Sequence, residues 1–464
     1  MNIDAVIIII YLLIILLIGL VSSRKLNTID DFAVSNVKYG KTVIFITMCC
    51  SFLGGGFSFG NAAEVYKNGI GNIFALFGFG IGQIFIGKYI ATKMGRFEGC
   101  ISTGNIMERM YGKRMQVITG ILATIICSGI LGAQVSVMGN IFYAFMGIPP
   151  VVGVIIGFGI VLIYSTMGGI KADIITDIIQ FGILIIGIPF LVIYGTHAAG
   201  GVTNVLTSVP KEYFNIFNNS SIGSFLSVFF TLMIGEMLVP PYIQRLLIGK
   251  EALDTSKATI MSGFASFIFF IMTGFVGLIS YSIDKNMVPE MAMIGIIRKV
   301  LPVGLSGVII SAMMAIVLST ADSFLNSAAV SVINDVYLPL KQGNVGQKEK
   351  LKIVRIANII IGVIAVLVAL LVPRLLDILT LSYSFWAPTL LPILLLSILG
   401  LNLSKKSVWI GVISGIGSSL YWNLILNKPY SIDGLLIGFA INMIITVLLH
   451  FSKKVIYVKI NSKT

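Results

Sequence analysis

The chain has 464 residues, of which 57% are apolar and 11% charged, with a formal net charge of +13. Soluble proteins carry roughly a quarter charged residues and a little under half apolar ones. Here apolar runs long enough to cross a bilayer core of about 30 Å recur from end to end. The composition therefore excludes a soluble enzyme, a secreted disulfide scaffold and a nucleic-acid module, and it defines an all-α polytopic membrane protein.

About thirteen spans are predicted, near 3–22, 42–64, 70–92, 115–146, 150–167, 173–195, 222–247, 258–281, 303–337, 353–372, 376–400, 407–425 and 433–451. The first is too long for a signal-peptide core, and its basic residues, Arg24 and Lys25, follow it instead of preceding it. It is expected to remain as a helix.

The second span contains Gly54-Gly55-Gly56 within the stretch 51–60. Each glycine costs a helix about 1 kcal/mol relative to alanine. Backbone exposed in this way at membrane depth must face protein or a polar cavity. Glu64, near the outer end of this span, is expected to be solvated. The sixth span opens with Asp173, Thr176, Asp177 and Gln180. Asp173 suits a helix cap; Asp177, one turn deeper, suits one less.

The seventh span contains Gly235-Glu236-Met237-Leu238-Val239-Pro240-Pro241, whose prolines remove donors and clash with the preceding turn. Spans two and seven each open a five-helix block. Either break alone fits close packing with a proline kink. Interruptions at matching positions of two halves are the signature of a secondary transporter's binding site.

The ninth span carries Ser311, Ser319, Thr320, Asp322, Ser323, Asn326 and Ser327. Positions 319, 322, 323 and 326 share one helical face. A carboxylate at mid-span costs about 2.5–3.5 kcal/mol or more and is usually functional. Hydroxyls beside it are hard oxygen donors suited to a small hard cation. For Asn326 and Ser327 an interhelical hydrogen-bonding role is the alternative.

With the N-terminus outside, 25 Lys and Arg fall on the cytoplasmic side and 7 outside. The positive-inside rule then places the C-terminus in the cytoplasm, in the cell membrane. Loops near 196–221, 282–302 and 338–352 are too short for a soluble domain, so all chemistry belongs to the bundle. Cys49, Cys50 and Cys127 lie in apolar runs and Cys100 in a basic loop, without disulfide or metal spacing.

Several of these segments resemble the sodium:solute symporter family, whose members carry proline, pantothenate, sugars, sialic acid, iodide or monocarboxylates. Tyr164-Ser165-Thr166-Met167-Gly168-Gly169-Ile170-Lys171-Ala172 with Thr176-Asp177-Ile178-Ile179-Gln180 resembles one family signature. The run from Leu318 through Ser327, ending at Asp335-Val336-Tyr337, resembles the second. Gln244-Arg245 and Tyr66 with Gly69 fit as well. The resemblance spans nearly the whole chain.

It implies a LeuT-like inverted-repeat bundle of five plus five helices within a single transmembrane domain covering 1–464. An extra N-terminal helix (3–22) precedes the repeats at 42–195 and 222–400, and two C-terminal helices (407–451) follow. By that resemblance sodium is held by carbonyls of Cys50, Leu53 and Ile316 and the hydroxyls of Ser319 and Thr320. A second ion site or relay falls on Asp177, Asp322 and Ser323. Asp322 departs from the family's serine, and two nearby carboxylates can bind sodium or share a proton.

Family position also assigns a substrate pocket to Gly55, Phe57, Ser58, Leu76, Phe79, Glu236, Tyr383 and Trp386. The apolar Phe57, Leu76 and Phe79 disfavour a sugar. Glu236 either pairs with a substrate amino group or accepts from unwound amides. The implied function is sodium-coupled import of a small organic solute by alternating access. Alternatives are a sodium-sensing, receptor-like protein on the same fold and a proton-coupled carrier. No signalling module follows the last span, and the only histidines, His197 and His450, lie at opposite faces. No enzyme activity, organic cofactor, nucleic-acid ligand or obligate protein partner is expected. The partners are the solute, sodium and the lipid bilayer.

Overall fold

A computed structural model describes residues 3–22, 32–34, 37–217, 221–341, 345–372 and 374–461. Arg24 and Lys25 lie outside the described residues. The main helices are α1 (Ile3–Ser22), α2 (Lys41–Phe52), α3 (Gly56–Asn68), α4 (Gly71–Phe97), α5 (Thr103–Tyr111) and α6 (Lys113–Met146). They continue as α7 (Pro150–Ala198), α8 (Ile222–Gly235), α9 (Pro240–Leu247), α10 (Ala252–Ile283), α11 (Ala292–Val300) and α12 (Leu305–Leu340). Then come α13 (Gln347–Leu371), α14 (Leu375–Trp386), α15 (Leu391–Leu399), α16 (Lys405–Ile425) and α17 (Gly434–Asn461). Among the described residues the extended structure is limited to one bridge between Tyr39 and Gly249.

Among the described residues eight helices are long and apolar enough to cross a membrane, and the number rises to 11 if each of three bent pairs is one span. The pairs are α2 with α3, bent by 62°, α8 with α9, bent by 47°, and α14 with α15, bent by 58°. Shorter apolar helices occupy Ile3–Ile18 and Pro150–Ile163.

Two of the bends fall at the glycine and proline runs read from the sequence. The third does not: 376–400 was expected to be one straight span. Its cause is chemical. The carbonyl of Pro388 needs a donor four residues on, and that position is Pro392, which has none. The Asn442 amide of α17 supplies the missing donor, reaching Pro388 O at 2.9 Å and Thr389 O at 2.8 Å.

The predicted fifth and sixth spans meet without a loop: the stretch labelled α7 is two helices broken at Gly169, where φ is 55° and ψ −173°. That backbone region is open to glycine and strained for other residues. Of the two helices, Gly169–Ala198 is long and apolar enough to cross a membrane, and Pro150–Ile163 is a shorter apolar helix. The loops near 196–221 and 282–302 hold helices of their own, Val202–Ser208 and α11.

At the centre stands α12, buried along almost its whole length and packed against α6 and α7. The N-terminal helix packs on α7 and α12, with Asp4 accepting from the amides of Gly304 and Gly307 at the start of α12. At the opposite end of α12, Asp335 accepts from Ser102 Oγ at 2.6 Å beside the first turn of α5. A Cβ at Gly104 would lie 2.2 Å from that carboxyl carbon, so only glycine fits there. Isoleucine, leucine and valine cover the outward faces of α7 and α13, as lipid contact requires.

Candidate functional site

The first break opens a backbone oxygen. In an unbroken helix the Gly54 amide would bond Cys50 O, but here it turns back to Phe52 O at 2.7 Å. The freed Cys50 carbonyl instead accepts from Thr320 Oγ1 at 3.0 Å and from Ser319 Oγ at 3.4 Å. Glycine permits this approach: a Cβ on Gly54 would lie 2.8 Å from Thr320 Oγ1. The structure thus brings Cys50, Ser319 and Thr320 together. Leu53 ends α2 beside this contact, and Ile316 lies one turn before Thr320; both are buried.

Asp177 joins the same cluster. Its carboxylate accepts from Ser319 Oγ and from Thr47 Oγ1, and its carbonyl lies 3.3 Å from Cys50 Sγ. The donor set is therefore a carbonyl, three hydroxyls and a carboxylate, all hard oxygens. This chemistry suits sodium and is poor for thiophilic metals.

One turn toward the start of the second half of α7, Asp173 is not a helix cap. It pairs with Arg245 at 2.5 Å, and both side chains are fully buried. Arg245 also donates to Ser323 Oγ at 2.6 Å and lies 3.8 Å from Asp177. Ser323 thus faces Asp173 and Arg245, while Asp322 faces Asp173 and Ser165. The expected second set of Asp177, Asp322 and Ser323 is bridged by Asp173, expected as a helix cap, and by Arg245, whose side chain lies fully buried in the interior.

The second break frees oxygens in another way. Pro240 and Pro241 lack the amides that Glu236 and Met237 carbonyls would otherwise use. Leu238 adopts φ 55° to turn the chain, a conformation that costs a leucine roughly 1–2 kcal/mol. Trp386 Nε1 of α14 donates to the freed Met237 carbonyl at 3.0 Å. Tyr383, one turn earlier, packs on Gly235, where a Cβ would sit 2.4 Å from its ring. The hydroxyls of Tyr242 and Tyr383 face the Glu236 carboxylate without a well-aligned hydrogen bond to it.

The remaining pocket candidates divide. Phe57 and Phe79 pack at 4.9 Å, with Phe52, Tyr242 and Phe270 around them, and Leu76 is buried nearby on α4. Gly55 and Ser58 are engaged within the first break: Gly55 N donates to Gln134 Oε1 at 2.7 Å, and Ser58 Oγ donates to Gly54 O at 2.8 Å. Gln134, which the sequence reading missed, thus pins the break from α6. Glu64, expected to be solvated, is partly buried and paired with Arg374 ahead of α14.

Half-helices that turn freed oxygens toward interior acids and hydroxyls define an ion-coupled membrane carrier. The sequence profile of the sodium:solute symporter family matches residues 32–415, and the chain belongs to this family. It is a multi-pass membrane sodium:solute symporter, not an enzyme. The chain is 25% identical over 452 residues to the high affinity choline transporter 1 of Homo sapiens, covering 91% of this chain and 76% of that one. It is 22% identical over 425 residues to the high-affinity proline transporter PutP of Bacillus subtilis (strain 168), covering 88% and 89%. In fold it is similar to a Na+-coupled sialic acid symporter in a substrate-bound outward-open state, at a TM-score of 0.85. That likeness has 19% identity and covers 97% of this chain and 98% of the other. MhsT, solved in complex with L-phenylalanine, gives a TM-score of 0.57 at 14% identity, over 89% and 99%. The fold is of the LeuT type.

Proposed function

We propose that this symporter imports a small organic solute by alternating access, with one sodium held by Cys50, Leu53, Ile316, Ser319 and Thr320. The observation that carries this reading is the meeting of the Ser319 and Thr320 hydroxyls on the freed Cys50 carbonyl. Uncharged oxygens suit an ion that must be released on every cycle. Asp177, with Asp322 and Ser323 behind it, serves a second ion or relays charge from the first. The solute lies between the two breaks, lined by Phe57, Leu76 and Phe79 on one side and by Glu236, Tyr383 and Trp386 on the other.

In this reading the two short apolar helices also span the membrane. That makes thirteen spans, with five-helix repeats at 42–195 and 222–400 inside one transmembrane domain. The N-terminus faces outward. Withdrawing the buried Arg245 from the loop charges leaves 24 Lys and Arg against 7. No organic cofactor or partner protein takes part in the cycle.

The test is uptake of labelled solutes by purified protein in liposomes. An inward sodium gradient should drive accumulation of at least one solute, and an equal potassium gradient should not. Accumulation that follows a proton gradient and ignores sodium would overturn the reading.

A further inference from the structure

The second break holds a buried cluster of three polar groups. The Tyr242 and Tyr383 hydroxyls face the Glu236 carboxylate, and beyond one another Glu236 Oε2, Tyr242 Oη and Tyr383 Oη have no hydrogen-bond partner among the described residues. They belong to three different segments, the linker between α8 and α9, α9 itself and α14, yet both hydroxyls face the one carboxylate. The backbone around them is fixed. Leu238 holds the turn, Trp386 caps Met237 O, and Gly235 lets the Tyr383 ring close on the break. The amides released by unwinding do not claim Glu236 Oε2.

A buried carboxylate with no cation beside it is costly to keep charged. Glu236 enters no ion pair among the described residues, in contrast to Asp173 with its Arg245. A ligand for this cluster must bring positive charge for the carboxylate. It must also bring at least one N–H donor, because the carboxylate accepts only and phenols that donate to it are left as acceptors. The aromatic wall of Phe52, Phe57, Phe79 and Phe270 reaches this point through Tyr242, whose ring lies 6.3 Å from Phe52 and 6.4 Å from Phe79. Such a wall suits a compact hydrocarbon body and attracts a cation by its ring faces.

We infer that the transported solute carries a protonated primary or secondary amine, whose N–H groups bond Glu236, Tyr242 and Tyr383. This deepens the symport reading above and rests on it. Quaternary ammonium solutes supply the charge without the donor, and sugar acids supply neither. A site built to hydrogen-bond an N–H rejects the analogue lacking it far more strongly than apolar packing discriminates.

The experiment uses the full-length protein in detergent and reads thermal stabilisation in sodium by matched pairs. The pairs are ethanolamine and choline, glycine and glycine betaine, and proline and its N,N-dimethyl betaine, with sialic acid as an amine-free acid. At least one protic amine should stabilise the protein at millimolar concentration, and its fully methylated partner should require at least roughly tenfold more. Glu236→Gln should weaken that amine roughly 30-fold or more, the effect of removing one side of a desolvated charged contact. Tyr383→Phe should weaken it less. Sodium affinity measured without solute reports folding and should stay near the parent value in both variants; Glu236→Asp replaces Glu236→Gln if that control fails. Stabilisation only by quaternary or amine-free compounds, by no protic amine, or unchanged amine affinity in Glu236→Gln would overturn the inference. Loss of sodium binding in the parent protein would instead overturn the symport reading.

Discussion

The two principal breaks free backbone oxygens by opposite means. In the first, glycine lets the chain turn so that the Gly54 amide abandons Cys50 O. In the second, Pro241 removes the donor that Met237 O would have used. What then meets the freed oxygen differs as well. Cys50 O faces two short hydroxyls, which an ion can share, whereas Met237 O is capped by the bulky, fixed indole of Trp386. Glycine admits close neighbours, and the first break is suited to bind something small that comes and goes. Proline and a left-handed leucine make a rigid ledge, suited to hold side chains around a larger ligand. The third bend follows the proline pattern, with Asn442 as its cap.

The largest effect is expected at Arg245, which ties the second broken span to α7 and α12. Removing one side of a buried ion pair costs about 3–5 kcal/mol because a charge is left uncompensated. Arg245→Met should therefore lower the thermal unfolding midpoint severely. Combining it with Asp173→Asn should recover much of the loss, and a double variant no better than the single would show that the pair does not act as a unit.

Substitutions at the breaks themselves sharpen the contrast. A methyl group at Gly54 meets Thr320 Oγ1 and Gln134 Oε1, each at 2.8 Å, and overpacking of this kind costs about 1–3 kcal/mol. Gly54→Ala should impair sodium activation of transport. Trp386→Phe leaves Met237 O without its donor, a loss of about 1–3 kcal/mol in stability. Its sodium affinity should remain close to that of the parent, and equal sodium defects in both variants would erase the distinction between the breaks. The smallest effect belongs to the surface pair between α3 and the start of α14. The Glu64–Arg374 pair is partly exposed, so Arg374→Ala should cost at most about 1 kcal/mol, and less in high salt. Calorimetry at two salt concentrations would measure it.

The sequence made the first two breaks legible because glycine and proline act locally, through lost propensity and lost donors. The Ser319–Thr320 pair was legible because hydroxyls beside an acid are costly in a buried span and share a face. The third break had a local signal, Pro388 and Pro392 one turn apart, which was passed over inside an apolar run. Asp173 with Arg245, Thr47 with Asp177, and Gln134 with Gly55 had none. Their partners lie 72, 130 and 79 residues apart, and tertiary packing alone joins them. Arg245 is the instructive failure: a basic residue next to a predicted span end reads as a loop charge until a buried acid is found beside it.

The most direct measurement is the sodium concentration giving half-maximal transport in Ser319→Ala and Thr320→Ala. Each removes one uncharged oxygen from the cluster on Cys50 O, and a hydrogen-bond-sized loss of about 1 kcal/mol corresponds to a few-fold to tenfold weaker sodium. Both variants should show that rise, with transport recovering at saturating sodium. Unchanged sodium activation in both would contradict the assignment of the ion to the first break.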